Sequence, residues 1–122
     1  APACLVLGGE TTVQLSANPG KGGRNQALAL AAAVALDRLA PEEAAGMTIV
    51  ALATDGTDGP CDSAGGVADA NTVARGAALG LDAVAHLRDD NAYPFLSATN
   101  DILKTGPTRT NVNDLTLIFV DD

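Results

Sequence analysis

Three short polar loops carry the residue types that could do chemistry in this chain. We call them the first loop (residues 18–25), the second loop (54–66) and the third loop (104–114). Each is rich in Gly, Thr, Asn or Asp and adjoins a predicted strand or helix end. Ligands of α/β proteins bind where strands end in such loops, although the same composition also makes ordinary turns. Three of them in one small domain favour a shared binding site.

The cations of this acidic chain indicate the kind of ligand. Lys and Arg number 7 against 15 Asp and Glu, for a net charge of −8. Four of the cations nevertheless lie in the first and third loops: Lys21, Arg24, Lys104 and Arg109. Gly22 and Gly23 would let the backbone approach a small anion, and Arg24 could bind a carboxylate or phosphate through two parallel hydrogen bonds. The first loop also opens a predicted helix, whose N–H groups and dipole favour an anion.

Named phosphate-binding motifs do not match the first loop. It lacks the Lys-Ser/Thr ending of a P-loop, and Asn25 stands where the dinucleotide-binding pattern beginning at Gly20 needs its last glycine. The general arrangement of glycines ahead of a helix remains. The candidate substrate- or phosphate-binding residues of this loop are Lys21, Gly22, Gly23 and Asn25.

The second loop supplies carboxylates. Asp55, Asp58 and Asp62 do not have the spacing of an EF-hand, whose twelfth position from Asp55 would be Gly66 rather than Glu. Mg²⁺ is commonly held by one or two carboxylates together with substrate phosphates, and an Asp that follows a buried strand could also accept a proton from a substrate hydroxyl. Asp55 and Asp58 are therefore candidate catalytic and metal-binding residues. The alternative is that they organise turns through hydrogen bonds to the backbone.

The third loop is dense in short hydrogen-bond donors. Its candidate phosphate-binding residues are Thr105, Gly106, Thr108 and Asn111. Hydroxyls and backbone N–H groups beside a glycine suit an oxyanion or a phosphate. The alternative is a Pro-Thr turn that leads into the last strand, with Asn and Asp making local hydrogen bonds.

The elements that must position these loops are predicted from periodicity and turn residues. We expect a hairpin, a long Ala/Leu-rich helix buried between layers, a central strand buried on both faces, two short helices and a last buried strand. Asp69 and Asp82 are predicted to cap the short helices, and Gly80 to end the first of them. The predicted elements cover residues 4–7, 12–16, 26–39, 47–52, 71–79, 82–87 and 115–120. Because strands alternate with helices, we predict an α/β fold, a layered single domain over residues 1–122 with a mixed β-sheet and helices packed on it.

Composition bounds the class of protein. At 122 residues the chain is one domain, and with 47% hydrophobic but 2% aromatic residues its core must consist of Ala, Leu, Val and Ile. A pI of about 4.3 argues against nucleic acid and anionic membrane surfaces as partners, and no apolar run reaches the roughly 20 residues of a membrane-spanning helix. Two cysteines without a zinc or disulfide pattern favour a reducing, cytoplasmic setting. The start has no signal-peptide character and no Met, so we expect a piece of a longer protein.

Taken together, the loops resemble one family, the MOFRL domain, which is the C-terminal domain of glycerate 2-kinases that are often named hydroxypyruvate reductases. The resemblance covers almost the whole chain, and the combination of its motifs in this order and spacing is highly specific. The motifs are GGETTV (residues 8–13), GKGGRNQALALA (20–31), ATDGTDGPCDSAGGVAD (53–69) and KTGPTRTNVNDL (104–115). Three positions depart from the family pattern, because Ala53 replaces a Gly, Cys61 a Thr, and the bulky cation Arg109 a common Gly.

The resemblance implies ATP-dependent phosphorylation of glycerate to 2-phosphoglycerate with Mg²⁺. It places the active site in a cleft between this domain and a larger N-terminal α/β domain, so the chain alone is expected to be inactive. By position in the family pattern, Arg24 would hold the glycerate carboxylate or the transferring phosphate, and Asp55 or Asp58 would orient the acceptor hydroxyl or the metal. The residues that would line the phosphate path are Thr105, Gly106 and Thr108.

Two other functions remain open at this point. An NAD(P)H-dependent hydroxypyruvate reductase would agree with one of the names in the family, but the dinucleotide-binding pattern is missing from this chain. A non-catalytic module that binds an anion or a partner is the other alternative. The coding sequence upstream of Ala1 separates this last function from the first two, because only the enzymes need a large preceding domain.

Overall fold

The computed structural model describes residues 2–9 and 15–121, which form a five-stranded sheet with helices packed on it. The strands lie in the order β1-β5-β2-β3-β4, and every described pair is antiparallel. In chain order the elements are β1 (Ala3–Gly9), α1 (Arg24–Arg38), α2 (Pro41–Ala44), β2 (Met47–Ala53), β3 (Gly65–Asp69), α3 (Thr72–Ala78), α4 (Ala83–Arg88), α5 (Ala92–Ala98), β4 (Ile102–Leu103) and β5 (Asp114–Val120). No helix in this part of the chain has the length and apolar character needed to cross a bilayer.

The layered single domain is confirmed, but the sheet is antiparallel where a mixed sheet was expected. The crossover through α1 does make β1 and β2 run in the same direction, as alternation of strands and helices predicts. However, β5 lies between them and runs antiparallel to both. β3 follows β2 through a loop without a helix, so it returns beside β2 in the opposite direction.

One apolar core joins the helices to one face of the sheet. α1 contributes Ala29, Leu30 and Val34, and β2 contributes Ala51. The remaining buried members of this cluster come from α4 and α5: Ala83, Ala92, Phe95 and Leu96. Small residues make the close approach possible, because a Cβ on Gly66 of β3 would lie within 3.1 Å of the Ala29 Cβ and within 2.9 Å of a Leu96 methyl carbon.

Most predicted elements are confirmed with small shifts of their ends. The predicted helix 26–39 is α1, the strand 47–52 is β2, and the Asp82 carboxylate caps α4 by accepting from the Val84 and Ala85 N–H groups. The Asp69 carboxylate instead accepts from the Asn71 N–H, one residue before α3 begins. β2 is half-buried at most positions rather than buried on both faces.

Four elements lie where no strand or helix was predicted: α2, β3, α5 and β4. β3 begins with Gly65 and Gly66, which by composition indicate a loop, yet a Cβ on Gly65 would collide with the Ala51 carbonyl of β2. Of the predicted hairpin, the first strand is β1, and residues 12–14 of the second strand lie outside the described residues.

Gly76 provides a test of this core. A Cβ at Gly76 would overlap the ring of Phe95, which is fully buried. Helix propensity alone favours Ala over Gly by about 1 kcal/mol, but overpacking a rigid core costs about 1–3 kcal/mol. We therefore expect Gly76→Ala to lower the free energy of unfolding, measured by urea denaturation. In a Phe95→Leu background, which makes room, the same substitution should become neutral or stabilising. Stabilisation of the otherwise unchanged chain by Gly76→Ala would contradict this packing.

Candidate functional site

The three polar loops meet at one edge of the sheet. Gly9 at the end of β1 and Ala53 at the end of β2 both pair with Asp114, the first residue of β5. The second loop therefore leaves the sheet where the third loop enters it. α1 starts beside the same edge, because Arg24 at its N-terminus contacts Asp114. The three loops therefore lie close together, as a shared binding site would require.

A buried carboxylate joins the first and second loops. Asp58 has no exposed surface. Its Oδ1 accepts from the backbone N–H of Asn25 at 2.9 Å and from the Asn25 side-chain amide at 3.2 Å. Its Oδ2 accepts from the backbone N–H of Gln26 at 2.8 Å and from the Gln26 amide at 2.9 Å. Each oxygen of the Asp58 carboxylate thus accepts two hydrogen bonds. Asp58 therefore serves as an internal anion at the N-terminus of α1.

This arrangement overturns one expectation about the first loop. The N–H groups of Asn25 and Gln26 were expected to face an external anion, but they bind Asp58 instead. Gly23, the N-cap residue, leaves room for this contact, since a Cβ there would collide with Asp58. Asn25 is itself fully buried, so it lies behind the surface that a ligand could reach.

A bidentate ion pair joins α1 to the sheet. Arg24 donates from Nε to Asp114 Oδ2 at 2.6 Å and from Nη2 to Asp114 Oδ1 at 2.8 Å. The Asp114 side chain is 3% exposed and the Arg24 side chain 28%. The guanidinium is thus held in a fixed plane while part of it reaches the surface. Sequence analysis missed Asp114, although its position as the last polar residue before the apolar run 115–120 was a usable signal.

The second and third loops are bound to each other through Thr54. Its hydroxyl donates to the Asn113 carbonyl at 2.7 Å and accepts from the Val112 N–H at 2.9 Å. The Thr108 hydroxyl in turn donates to the Thr54 carbonyl. Gly56, with φ +89°, lies so close to the Gly106 carbonyl that no side chain would fit. The Thr108 hydroxyl, a predicted phosphate-binding group, therefore holds the third loop to the second.

Asp55 and Asp58 have different environments despite their identical setting in the motif TDGTDG. Asp55 is half-buried, and its Oδ1 accepts from the Thr57 N–H at 3.0 Å. No donor to its Oδ2 is found in residues 2–9 and 15–121. Within those residues, no group of three His, Cys, Asp or Glu could hold a metal ion by itself. A Mg²⁺ that keeps its waters and binds substrate phosphates fits Asp55, whereas the oxygens of Asp58 are already used.

A chain of polar contacts connects the three loops on the outside. Lys21 Nζ lies 4.0 Å from the centre of the Tyr93 ring, and the Tyr93 hydroxyl donates to Asp62 Oδ1 at 2.9 Å. Lys104 Nζ lies 3.2 Å from Asp62 Oδ2. The hydrogen bond from Tyr93, followed by that from Lys104, lowers the pKa of Asp62, and the same ion pair raises the pKa of Lys104. The three charged groups are exposed and Tyr93 is half-buried, so the contacts order the surface more than they stabilise the fold.

The other predicted residues lie around this edge. Gly22 lines a cleft of about 300 Å³ beside the start of α1, together with Gly23, Arg24 and Asp90. The Thr105 hydroxyl donates to the Gly106 carbonyl at 2.9 Å, and the Asn111 side chain accepts from the Asn113 N–H at 3.0 Å. Asn111 is exposed, and so is Arg109, the remaining cation of the third loop.

Arg109 combines a long cation with a conformation that glycine adopts without strain. Its φ is +62°, in the left-handed region. This agrees with the resemblance noted above, in which a Gly is common at this position. Arg109 therefore adopts the backbone conformation of this turn at some conformational cost. Its exposed side chain adds a guanidinium to the third loop.

Comparison with known proteins assigns the family. A model described as the MOFRL family matches residues 3–114. The chain belongs to the MOFRL family. The D-glycerate 2-kinase of Thermotoga maritima is 46% identical to this MOFRL domain over 114 residues, which are 93% of the chain and 26% of that relative. A protein of Agrobacterium vitis that bears the name hydroxypyruvate reductase is 40% identical over 121 residues, 98% of the chain and 26% of the relative.

The solved structures agree with the sequence relatives. A crystal structure of glycerate kinase from Thermotoga maritima matches this MOFRL domain with a TM-score of 0.89 and 43% identity, over 98% of this chain and 27% of the other. The chain therefore spans about a quarter of the length of the relatives it matches.

The role of Asp58 leads to a stability prediction. Asp58→Asn would place an amide N–H₂ against N–H donors of Asn25 or Gln26 inside a dry site, and lost hydrogen bonds to a charged group cost about 1.5–3 kcal/mol. We expect the free energy of unfolding to fall by about that amount in urea denaturation. Asp82→Asn is the matched control, because one Asp82 oxygen accepts both helix N–H groups and Asn caps helices equally well. Equal effects of the two substitutions would contradict a special role for Asp58.

The contact between Tyr93 and Asp62 leads to a pH prediction. The folded pKa of Asp62 lies below its ordinary value, so the contact contributes stability above that value, and the contribution is lost as the pH falls through the folded pKa. Tyr93→Phe and Lys104→Met should each raise the pKa of Asp62 towards the ordinary range. The titration of the Asp62 carboxyl carbon in ¹³C NMR measures it. An unchanged titration in Tyr93→Phe would show that the hydrogen bond does not persist in solution.

Proposed function

We propose that this MOFRL domain is the C-terminal part of a glycerate 2-kinase, which transfers the γ-phosphoryl group of ATP to glycerate to give 2-phosphoglycerate. The observation that carries the proposal is the Arg24–Asp114 pair at the junction of three loops. Phosphoryl transfer needs little covalent chemistry from the protein, since positioning and neutralisation of charge supply most of the catalysis. A guanidinium fixed by a buried carboxylate, beside hydroxyl donors and glycines, suits that task.

In this proposal Arg24 binds the negatively charged substrate group. Its orientation is set in advance by Asp114, so the cation need not reorganise when charge develops on the transferring phosphoryl group. Arg109 and Lys21 add charge at the same edge. We assign Asp114 a positioning role, because its carboxylate is buried and reaches the substrate only through Arg24.

The two aspartates of the second loop take separate roles. When bound, Mg²⁺ and ATP supply charge neutralisation and the phosphoryl group. Asp55 would hold the metal or orient the glycerate hydroxyl, because its carboxylate lies at the surface of the loop edge. Asp58 instead holds the N-terminus of α1, and thus Arg24, in place. The backbone around Thr105 and Gly106 would line the phosphate path.

The site is one-sided, which agrees with a domain that works only with the rest of its chain. The loops form an exposed edge, and the relatives are about four times as long as this chain. We therefore infer that the larger N-terminal part supplies the other wall of the cleft and that the 122-residue chain alone is inactive.

Two assays on the full-length gene product test the proposed function. Incubation with ATP, Mg²⁺ and D-glycerate should yield ADP and 2-phosphoglycerate, and the 122-residue chain should yield neither. Incubation with hydroxypyruvate and NADH or NADPH tests for hydroxypyruvate reductase activity, after which other relatives are named. Consumption of the nicotinamide without ADP formation from glycerate would replace the kinase with the reductase, and absence of both activities would leave a binding module.

Arg24 provides the test at the level of one residue. Arg24→Lys keeps the positive charge that Asp114 needs but loses the two-pronged geometry. In the full-length enzyme we expect kcat/KM for glycerate to fall by about 10²–10³-fold, as for loss of a charge-stabilising donor. Arg38→Lys, at the exposed end of the same helix, is the control and should leave the kinetics unchanged. Thermal melts establish that both variants fold. Unchanged kinetics in a folded Arg24→Lys enzyme would remove Arg24 from the site.

A further inference from the structure

One face of the sheet is apolar and carries no helix from the described part of the chain. Side chains alternate between the two faces of a strand, and the register places Val50 opposite Leu117, and Leu52 opposite Leu115. We call this side the open face. Its apolar residues are Val6, Val50, Leu52, Val67, Leu103, Leu115, Leu117 and Phe119.

The helices lie on the opposite side. Ala51, which alternates with Val50 and Leu52, belongs to the core that α1, α4 and α5 share. Its cross-strand neighbour Gly66 packs against α1 and α5. On the open face, by contrast, Phe119 is 39% exposed and Val6 62% exposed. On β1 the helices leave both sides uncovered, since Leu5 and Leu7 on the helix side are each 53% exposed. The helices therefore cover the centre of one face and none of the open face in the described residues.

The sequence of these strands suits burial on both sides. β2 and β5 are apolar at consecutive positions, a pattern that occurs where both faces of a sheet are covered. A strand with one face in water would alternate apolar and polar residues. The open face draws apolar residues from all five strands, and contiguous apolar faces of this kind mark interaction surfaces.

We propose that the open face docks an apolar helical layer supplied by the rest of the full-length chain. The proposal rests on the proposed function in one respect: the docked layer is taken to belong to the larger part of a glycerate kinase chain. About three-quarters of the relatives' length lies outside the matched region. A tethered segment meets the face at an effective concentration near millimolar, which a separate partner rarely reaches.

Charge and geometry favour this occupant over a second copy of the chain. Two copies would each bring a net charge of −8 to the contact and repel. A helical layer on the open face would also end near the edge where the three loops meet. It would thereby bring its own residues opposite Arg24, and the one-sided site would gain its second wall.

Thiol labelling tests the docking without any need for activity. In a Cys4→Ala background, Phe119→Cys reports on the open face, and Val84→Cys on the exposed side of α4 serves as the control. Cys61 is buried and provides the slow baseline. We expect Phe119→Cys to react with a maleimide at least about tenfold more slowly in the full-length protein than in the 122-residue chain, because docking must open first. Val84→Cys should react at the same rate in both.

A second variant keeps the test valid if Phe119→Cys misfolds. Thr48→Cys lies directly opposite Phe119 on the open face and replaces a side chain of similar size. Equal labelling of open-face thiols in both proteins, with circular dichroism showing a folded chain, would overturn the proposal. Protection that already occurs in the 122-residue chain and increases with its concentration would identify a second copy as the occupant instead. Protection in a full-length protein without kinase activity would support the docking and reject only the proposed function.

Discussion

The arrangement of this domain depends on one buried charge, the carboxylate of Asp58 at the N-terminus of α1. Burying an unpaired carboxylate would cost far more than a small domain can offset, so the charge is tolerated only because Asn25 and Gln26 donate four hydrogen bonds to it. The same bonds hold the second loop against the first and place α1 over β2 and β3. Arg24, the residue before Asn25, is positioned as a consequence, and its fixed geometry comes from a helix start that an internal anion stabilises.

The residues at this edge of the sheet thus fall into two groups: inner residues that hold the loops in place and outer residues that reach the surface. Asp58, Asn25 and Thr54 make hydrogen bonds that join the three loops and fix their backbone. Asp55 and Arg109 lie further out, since Asp55 is half-buried and Arg109 is exposed. Such a division is expected of a site that must hold its outer residues within a few tenths of an ångström, because the outer residues are only as rigid as the ones behind them.

The sequence predicts much of this fold but not the roles within the site. Long periodic segments predicted α1 and β2, and local cap chemistry predicted the start of α4 at Asp82. β3 could not be found, because Gly65 and Gly66 indicate a loop locally and become a strand only through close packing against Ala51 and α1. The two aspartates of TDGTDG are equivalent in local sequence. They differ only because the first N–H groups of α1, more than thirty residues earlier in the chain, donate to Asp58 and not to Asp55.

The charges at the edge agree with the proposal that this domain forms half of a site. Four cations lie in the first and third loops, yet Arg24 is paired with Asp114 and Lys104 with Asp62, and Lys21 lies over the ring of Tyr93. The excess positive charge at the edge is therefore smaller than the sequence suggests. A triphosphate and a carboxylate together carry several negative charges, and phosphoryl transfer requires that they be neutralised. In the proposed kinase the balance would come from a divalent cation and from residues outside this chain, which agrees with the docking proposed for the open face.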